Sequence, residues 1–235
     1  MSDGATAGGA PEARSRWWVA RPLLVGVFIA LPCLLAFFEL AEDFAMSAKV
    51  AAFDAGASGF VHGWRSPRLT PFFIGVTTLA NAPTVWVVAA LVVIALLWAR
   101  RGRAALLVLL AVACGSVFGA IAKVDLARQR PPIDNMLIAL PAGFSFPSGH
   151  ALAGVELYGV LAFLAVRELH SLWSKLLIVA AAVGVALLIG VSRVYLGVHW
   201  PSDVLASWLL GGAWLAFLCG AYVSWERYDI ANAGG

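Results

Sequence analysis

The chain has 235 residues, of which 62% are hydrophobic and 12% charged, with a mean hydropathy of +0.88. Soluble domains are about half apolar and about a quarter charged, so the composition excludes an ordinary cytosolic domain, a disordered chain and a nucleic-acid binder. The net charge of +3 resides in short basic clusters between long apolar runs, which is membrane-protein patterning.

A hydrocarbon core about 30 Å thick needs roughly 20 apolar helical residues. Six runs approach that length: Pro22–Phe38, Ala82–Ala99, Ala104–Ala122, Gly149–Val166, Leu176–Val191 and Val204–Val223. Isolated strands cannot satisfy their backbone groups in lipid, so each run is read as a helix. The expected fold class is all-α: a polytopic membrane protein built as a six-transmembrane-helix bundle. The first run is long for a signal-peptide core, and Leu34–Leu40 offers no small-x-small cleavage site, so it is read as an uncleaved span.

Residues 1–21 are expected to be a flexible cytoplasmic N-terminus, 22–223 a single membrane domain and 224–235 a cytoplasmic tail, with 1–13 and 230–235 disordered. Between spans one and two lies a long outer segment, Glu39–Asn81. Within it Leu69, Phe72, Phe73, Val76 and Leu79 recur at helical spacing after Ser66-Pro67. This predicts an interfacial helix before span two, or a bent beginning of that span broken at Pro83. Span three carries Gly115-Ser-Val-Phe-Gly119, a small-xxx-small pattern suited to close helix packing. Glu156, in the middle of span four, is read as a buried carboxyl, either neutral or paired to a neighbouring helix. The cysteines, Cys33, Cys114 and Cys219, form no CxxC pair and no disulfide framework.

Lysine and arginine set the orientation. With the N-terminus inside, the inner side carries Arg14, Arg16, Arg21, Arg100, Arg101, Arg103, Arg167, Lys175 and Arg227. The outer side carries Lys49, Arg65, Arg68, Lys123, Arg128, Arg130 and Arg193, nine cations against seven. Both termini then face the cytoplasm, and the outer cations need another task.

Three polar clusters sit at span ends: Lys123 to Arg130-Pro131, Pro147-Ser148-Gly149-His150, and Ser192-Arg193 followed by His199 and Asp203. Alternation of the spans brings all three to one membrane face, where unpaired charges mark function. His199 and Asp203 are four apart, within reach on one helix face. A carboxylate on one imidazole nitrogen fixes the tautomer and frees the other nitrogen as nucleophile or base. Lys123, Arg130 and Arg193 suit a tetrahedral oxyanion. Ser148 and Gly149 open span four, where backbone N–H groups bind anions. His150 could divide acid–base work with His199, whereas His62 and His170 lack such company and are read as solvated. Two histidines and one carboxylate could in principle bind zinc, but the surrounding cations oppose a divalent metal. No cofactor fingerprint, Walker loop or G-x-S-x-G occurs.

Together these residues resemble the type-2 phosphatidic acid phosphatase family, integral-membrane relatives of the vanadium haloperoxidases. The three family signatures, K-x6-R-P, P-S-G-H and S-R-x5-H-x3-D, stand complete and in order, and the resemblance covers roughly Leu69 to Val223. It implies metal-independent phosphate ester hydrolysis through a phosphohistidine, without a cofactor. His199 resembles the nucleophile, Asp203 its orienting partner and His150 the general acid. Lys123, Arg130, Ser148, Gly149 and Arg193 resemble the phosphate-binding set. The expected substrate is a lipid phosphate or diphosphate at the outer face of a bacterial plasma membrane. Undecaprenyl diphosphate or a related prenyl carrier is favoured, and phosphatidate, phosphatidylglycerophosphate and lipid A phosphates remain open. A non-hydrolytic lipid-phosphate transporter and a vanadate-dependent peroxidase are the alternatives of different class. The expected partners are the bilayer and its lipids, with no nucleic acid.

Overall fold

The computed structural model describes the backbone of residues 11–233 and the side chains of 17–43 and 47–233. The described chain is all-α: α1 (Pro11–Met46), α2 (Ala48–His62), α3 (Leu69–Thr78), α4 (Ala82–Trp98), α5 (Gly102–Leu126), α6 (Gly149–Glu168), α7 (Leu172–Tyr195) and α8 (Pro201–Ala233), with a short 3-10 turn at Ile133–Asn135. Helices α1, α5, α6, α7 and α8 are each long and apolar enough to cross a membrane. Helices α3 and α4 meet at a bend of 47° and together pass the same test.

The periodic segment thus forms a helix of its own that leads through the bend into the next apolar run. The break falls at Leu79–Asn81, ahead of Pro83. Asn81 Oδ1 accepts the Thr84 N–H at 2.9 Å and restarts the helix as its N-cap. Pro83 then sits in the first turn, where a missing N–H costs no bond.

Helix α1 extends past its apolar run at both ends, starting within the expected flexible N-terminus. Its flanks are rich in alanine, arginine and glutamate, which prolong helices readily. Helix α8 likewise runs to Ala233, where a disordered tail is expected from residue 230. Residues 1–10 and 234–235 of the expected tails lie outside the described residues. Helix α2 is also absent from the sequence expectation. Its alanines and glycines show no apolar stripe, and it forms by packing on α7 and α8.

Small residues let the helices close on one another. Helix α1 lies along α8, where a Cβ on Gly26 would meet Ala216 O at 2.5 Å and one on Gly220 would meet Pro22 O at 2.6 Å. Helix α6 packs on α5, α7 and α8. Gly119 faces Leu152, and Gly115 makes room for Glu156. Glu156 is 1% exposed, and its Oε1 has no hydrogen-bond partner among the described residues. No ion pair joins it to a neighbouring helix among the described residues. The core between α5 and α6 is built from Val108, Val112, Leu157 and Val160.

At the end of the bundle where α6 finishes and α7 begins, ion pairs tie the helices. Arg101 meets Glu168 at 2.6 Å, Arg103 pairs with Asp229, and Arg167 pairs with Glu226. Arg227 donates to Trp18 O at 2.8 Å and covers its ring. The opposite end carries the three motif clusters.

Candidate active site

Local backbone rules build this end. Helix α5 stops at Ala127, which takes a left-handed φ of 45° and closes on Lys123 O. The chain therefore turns back, leaving Lys123 in the last helical turn and Arg128 and Arg130 in the returning loop. Ser148 caps α6, its Oγ accepting the Ala151 N–H at 3.5 Å. The first-turn N–H groups of Gly149 and His150 have no partner inside the helix, and a side chain on Gly149 would meet open space. After α7 the chain turns at Gly197, with φ of +75°. A Cβ there would lie 2.0 Å from Asn135 O, so only glycine lets the two loops touch.

His199 precedes α8 and is not on its face, contrary to the helical reading of the four-residue spacing. Pro201 opens the helix and Asp203 is its third residue. Asp203 Oδ2 accepts the Trp200 N–H at 2.9 Å, the return bond of a capping box. This brings the carboxylate back to His199, whose Nδ1 lies 3.4 Å from Asp203 Oδ2 and 3.4 Å from Ser145 Oγ. Ser145 Oγ also donates to Asp203 Oδ2 through a short bond.

The expected residues converge. Lys123 Nζ donates to Phe144 O and Pro147 O, both at 2.8 Å, and Arg130 reaches the same Phe144 O at 3.1 Å. Arg130 also donates to Val198 O at 2.8 Å and contacts His199 Nε2 at 3.2 Å. The Ser148 N–H faces Asp203 O at 3.4 Å. Arg193, in the last turn of α7, donates to Thr77 Oγ1 at 2.7 Å, while its buried Nε has no hydrogen-bond partner among the described residues. A buried spare donor of this kind is available to a ligand. His150 stands within electrostatic reach of Arg193, His199, Arg130 and Lys123. The motif residues thus surround one small volume at the ends of α5 and α7 and the starts of α6 and α8.

The chemistry follows from the hydrogen-bonding inventory. A guanidinium has no acceptor, so the Arg130 contact requires His199 Nε2 to present its lone pair. The Nδ1 proton then points toward Asp203. Burial is the main cause that pushes the His199 pKa down to about 4. Asp203 opposes it, and Arg193 and Arg130 add to it. At neutral pH the ring is a free base with a fixed tautomer. Burial also lowers the Arg130 pKa from its ordinary value, which leaves a guanidinium charged. No group of three or more His, Cys, Asp or Glu residues that could hold a metal ion occurs among the described residues.

Several contributors escape the motif reading. Arg128 donates to Asp203 Oδ1 and to Asp54 Oδ2, each at 2.6 Å. Asp54 comes from α2 and is 2% exposed. A lone carboxylate in an Ala- and Gly-rich stretch was the available signal for it. Ser145 and Thr77 carry no sequence signal of their own. His62 is a correction: the ring is half-buried, not solvated, and its Nε2 lies 2.9 Å from Val194 O. Burial is the main cause that lowers its pKa. His170 is exposed, as expected.

Comparison with known proteins agrees with this geometry. The model of the PAP2 superfamily matches residues 103–227. Phosphatidylglycerophosphatase B of Bacillus subtilis (strain 168) is 32% identical over 149 residues, covering 63% of this chain and 72% of that protein. An undecaprenyl-diphosphatase of Sulfolobus acidocaldarius is 34% identical over 127 residues, covering 52% and 57%. The crystal structure of a transmembrane PAP2 type phosphatidylglycerolphosphate phosphatase from Bacillus subtilis superposes with a TM-score of 0.69 at 26% identity, covering 88% of this chain and 97% of that one. The buried imidazole with its fixed tautomer, the surrounding cations and these matches lead to one conclusion: the chain belongs to the PAP2 superfamily of integral-membrane lipid phosphatases.

Proposed function

We propose that this hydrolase cleaves a membrane lipid phosphate or diphosphate through a phosphohistidine formed on His199 Nε2. The observation that carries the reading is the buried His199, whose Nε2 lies 3.2 Å from the Arg130 guanidinium. A phosphoryl transition state spreads negative charge over its equatorial oxygens, so positioned cations supply most of the catalysis. Lys123, Arg130 and Arg193 take that charge, and the Ser148 and Gly149 N–H groups at the start of α6 complete the cradle. As phosphate binds, Arg130 turns from the Nε2 lone pair to a phosphoryl oxygen.

His199 Nε2 then attacks phosphorus as the bond to the leaving oxygen breaks, and His150 gives that oxygen a proton. Asp203 holds the Nδ1 proton and offsets the positive charge that the ring acquires. Water next attacks the phosphohistidine, the P–N bond breaks, and His150 takes the proton from the water. Inorganic phosphate leaves and both histidines return to their starting states.

We infer a six-span bundle in which α3 and α4 form one bent span, with both termini cytoplasmic and the site at the outer face of the plasma membrane. The substrate phosphate then lies at headgroup depth. An apolar cavity of about 590 Å³ among α1, α5 and α8, lined by Phe37, Phe118, Leu126, Trp214 and Phe217, gives its tail a place. Phe37 also meets Phe146, the residue before the P-S-G-H motif, with tilted rings 5.7 Å apart, which supports a tail path from this cavity toward the cradle.

Undecaprenyl diphosphate or a related prenyl carrier is the preferred substrate, supported by the archaeal relative of that name. Phosphatidylglycerophosphate is the second reading, favoured by the names of the Bacillus relative and the solved structure. A phosphate-release panel over prenyl diphosphates, phosphatidate, phosphatidylglycerophosphate and lipid A, in detergent with chelator, separates them. Release from none of them, or full turnover by His199→Ala, would defeat the proposal. A transporter would need the cations but not the His199–Asp203 pair.

A further inference from the structure

We propose that Asp54 and Arg128 are positioning residues for the His199–Asp203 pair. Arg128 clamps the orienting carboxylate, and Asp54 restores the negative charge that Arg128 would otherwise cancel. The inference rests on His199 being the nucleophile, and neither residue belongs to the three signatures.

The geometry divides Asp203 between two tasks. Its Oδ1 accepts from Arg128 at 2.6 Å, while Oδ2 serves Trp200 N–H, Ser145 and His199. Arg128 therefore fixes the carboxylate plane with one oxygen turned to the imidazole. Its second nitrogen donates to Asp54 Oδ2 at 2.6 Å, and Ser202 Oγ bridges the pair, accepting from Arg128 at 2.7 Å and donating to Asp54 at 2.7 Å. Asp54 Oδ1 accepts the Ser202 N–H at 2.8 Å. The side chains of Arg128, Asp54 and Asp203 are 9%, 3% and 0% exposed. Two planar carboxylates on one fork is a geometry that arginine provides and lysine does not.

Charge bookkeeping explains why a second carboxylate is useful. Asp203 with Arg128 alone is a neutral pair. A neutral pair gives a phosphorylated, cationic imidazole little support. Adding Asp54 returns the buried trio to a net single negative charge beside His199. The other charged groups facing His199 are Arg193 and Arg130, both positive, and Lys123 is within reach of Asp203. The trio is thus the only anionic group among the described residues that faces the nucleophile. A simple helix cap would account for the Ser202 N–H bond of Asp54 but not for the shared guanidinium. Burying three charges is a costly way to gain stability alone.

The test is a cycle of Asp54→Asn, Arg128→Gln and the double variant, assayed for phosphate release against pH in detergent. His199→Ala serves as a control, and thermal midpoints are measured alongside. Asn keeps an acceptor for the Ser202 N–H, so the cap survives while the charge is lost. Asp54→Asn should lower kcat on the order of 10- to 100-fold, the scale of one charge removed from a partly buried network. KM should change little. The acid limb of kcat/KM should move to lower pH in Asp54→Asn, to higher pH in Arg128→Gln, and back in the double variant. The double variant should also be several-fold faster than Asp54→Asn, because its net charge is restored. A double variant as slow as Asp54→Asn, acid limbs that do not move, or singles and double that all fail to fold would overturn the proposal in favour of a purely structural network. An active His199→Ala would instead defeat the phosphohistidine reading itself.

Discussion

Replacing Arg193 with glutamine tests the contribution of its guanidinium to the proposed cradle. Arg193 is 2% exposed and commits one nitrogen to Thr77, leaving the unpartnered Nε and the other terminal nitrogen for a ligand. The glutamine amide ends where the arginine Nε stands, so the charge and the Thr77 bond are lost together. Loss of one oxyanion donor costs about 2.7–4 kcal/mol, a fall of roughly 10²–10³ in kcat, and Arg193→Gln should lie in that range. A second effect has a defined sign. Arg193 is among the cations that hold the His199 pKa near 4. His199, the proposed nucleophile, is neutral above its pKa, so wild-type activity should fall only as the pH drops through about 4. Without Arg193 the imidazolium is less disfavoured, the pKa rises toward its ordinary value, and the acid limb moves to higher pH. Steady-state phosphate release from a lipid diphosphate in detergent, measured between about pH 3 and pH 8, reads both effects. A kcat within about threefold of wild type, or an acid limb that stays in place, would refute the role given to Arg193.

His150→Ala should slow monoesters more than diphosphates, since an alkoxide needs the proton more than a phosphate monoester does; equal losses on paired substrates would reject His150 as the acid. Gly115→Ala should lower the thermal midpoint, because the new Cβ would fall 1.5 Å from Glu156 Oε1, an overpacking worth about 1–3 kcal/mol. Adding Glu156→Ala should restore most of that loss, and no recovery would mean that the clash is not with Glu156. Vanadate should inhibit phosphate release as a transition-state mimic, while a chelator should leave the rate unchanged; a rate that needs added divalent metal would contradict the cationic cradle.

Much of the site was legible in the sequence because its signals are local. Lys123, Arg130, Ser148, Gly149, His150, Arg193, His199 and Asp203 all occupy the ends of apolar runs, where charge is expensive, and the structure gathers them. Five of the six apolar runs fall in helices long and apolar enough to cross a membrane and the remaining one in a bent pair; the helices outrun the apolar runs because helix propensity does not stop where hydropathy does. What was illegible depends on distant contacts. Asp54 reaches Arg128 across 74 residues of chain, and no periodic pattern announces such a meeting. Helix α2 has neither an apolar stripe nor a run long enough to span, so only its packing on α7 and α8 reveals it. The spacing of His199 and Asp203 identified the right pair for the wrong geometric reason: an N-terminal cap, and not a helical face, joins them.

One helix fixes where in the bilayer this enzyme can work. Helix α8 has 33 residues and no proline beyond its first position, so it is a stiff rod about 50 Å long. Its first turn holds Asp203, and its last turns hold Glu226, Arg227 and Asp229 in the ionic belt at the far end. Under the proposed function the reaction centre and that belt keep a fixed separation, so neither changes depth without the other. The rod acts as a depth gauge, and the lipid must bring its phosphate to the level that the gauge sets.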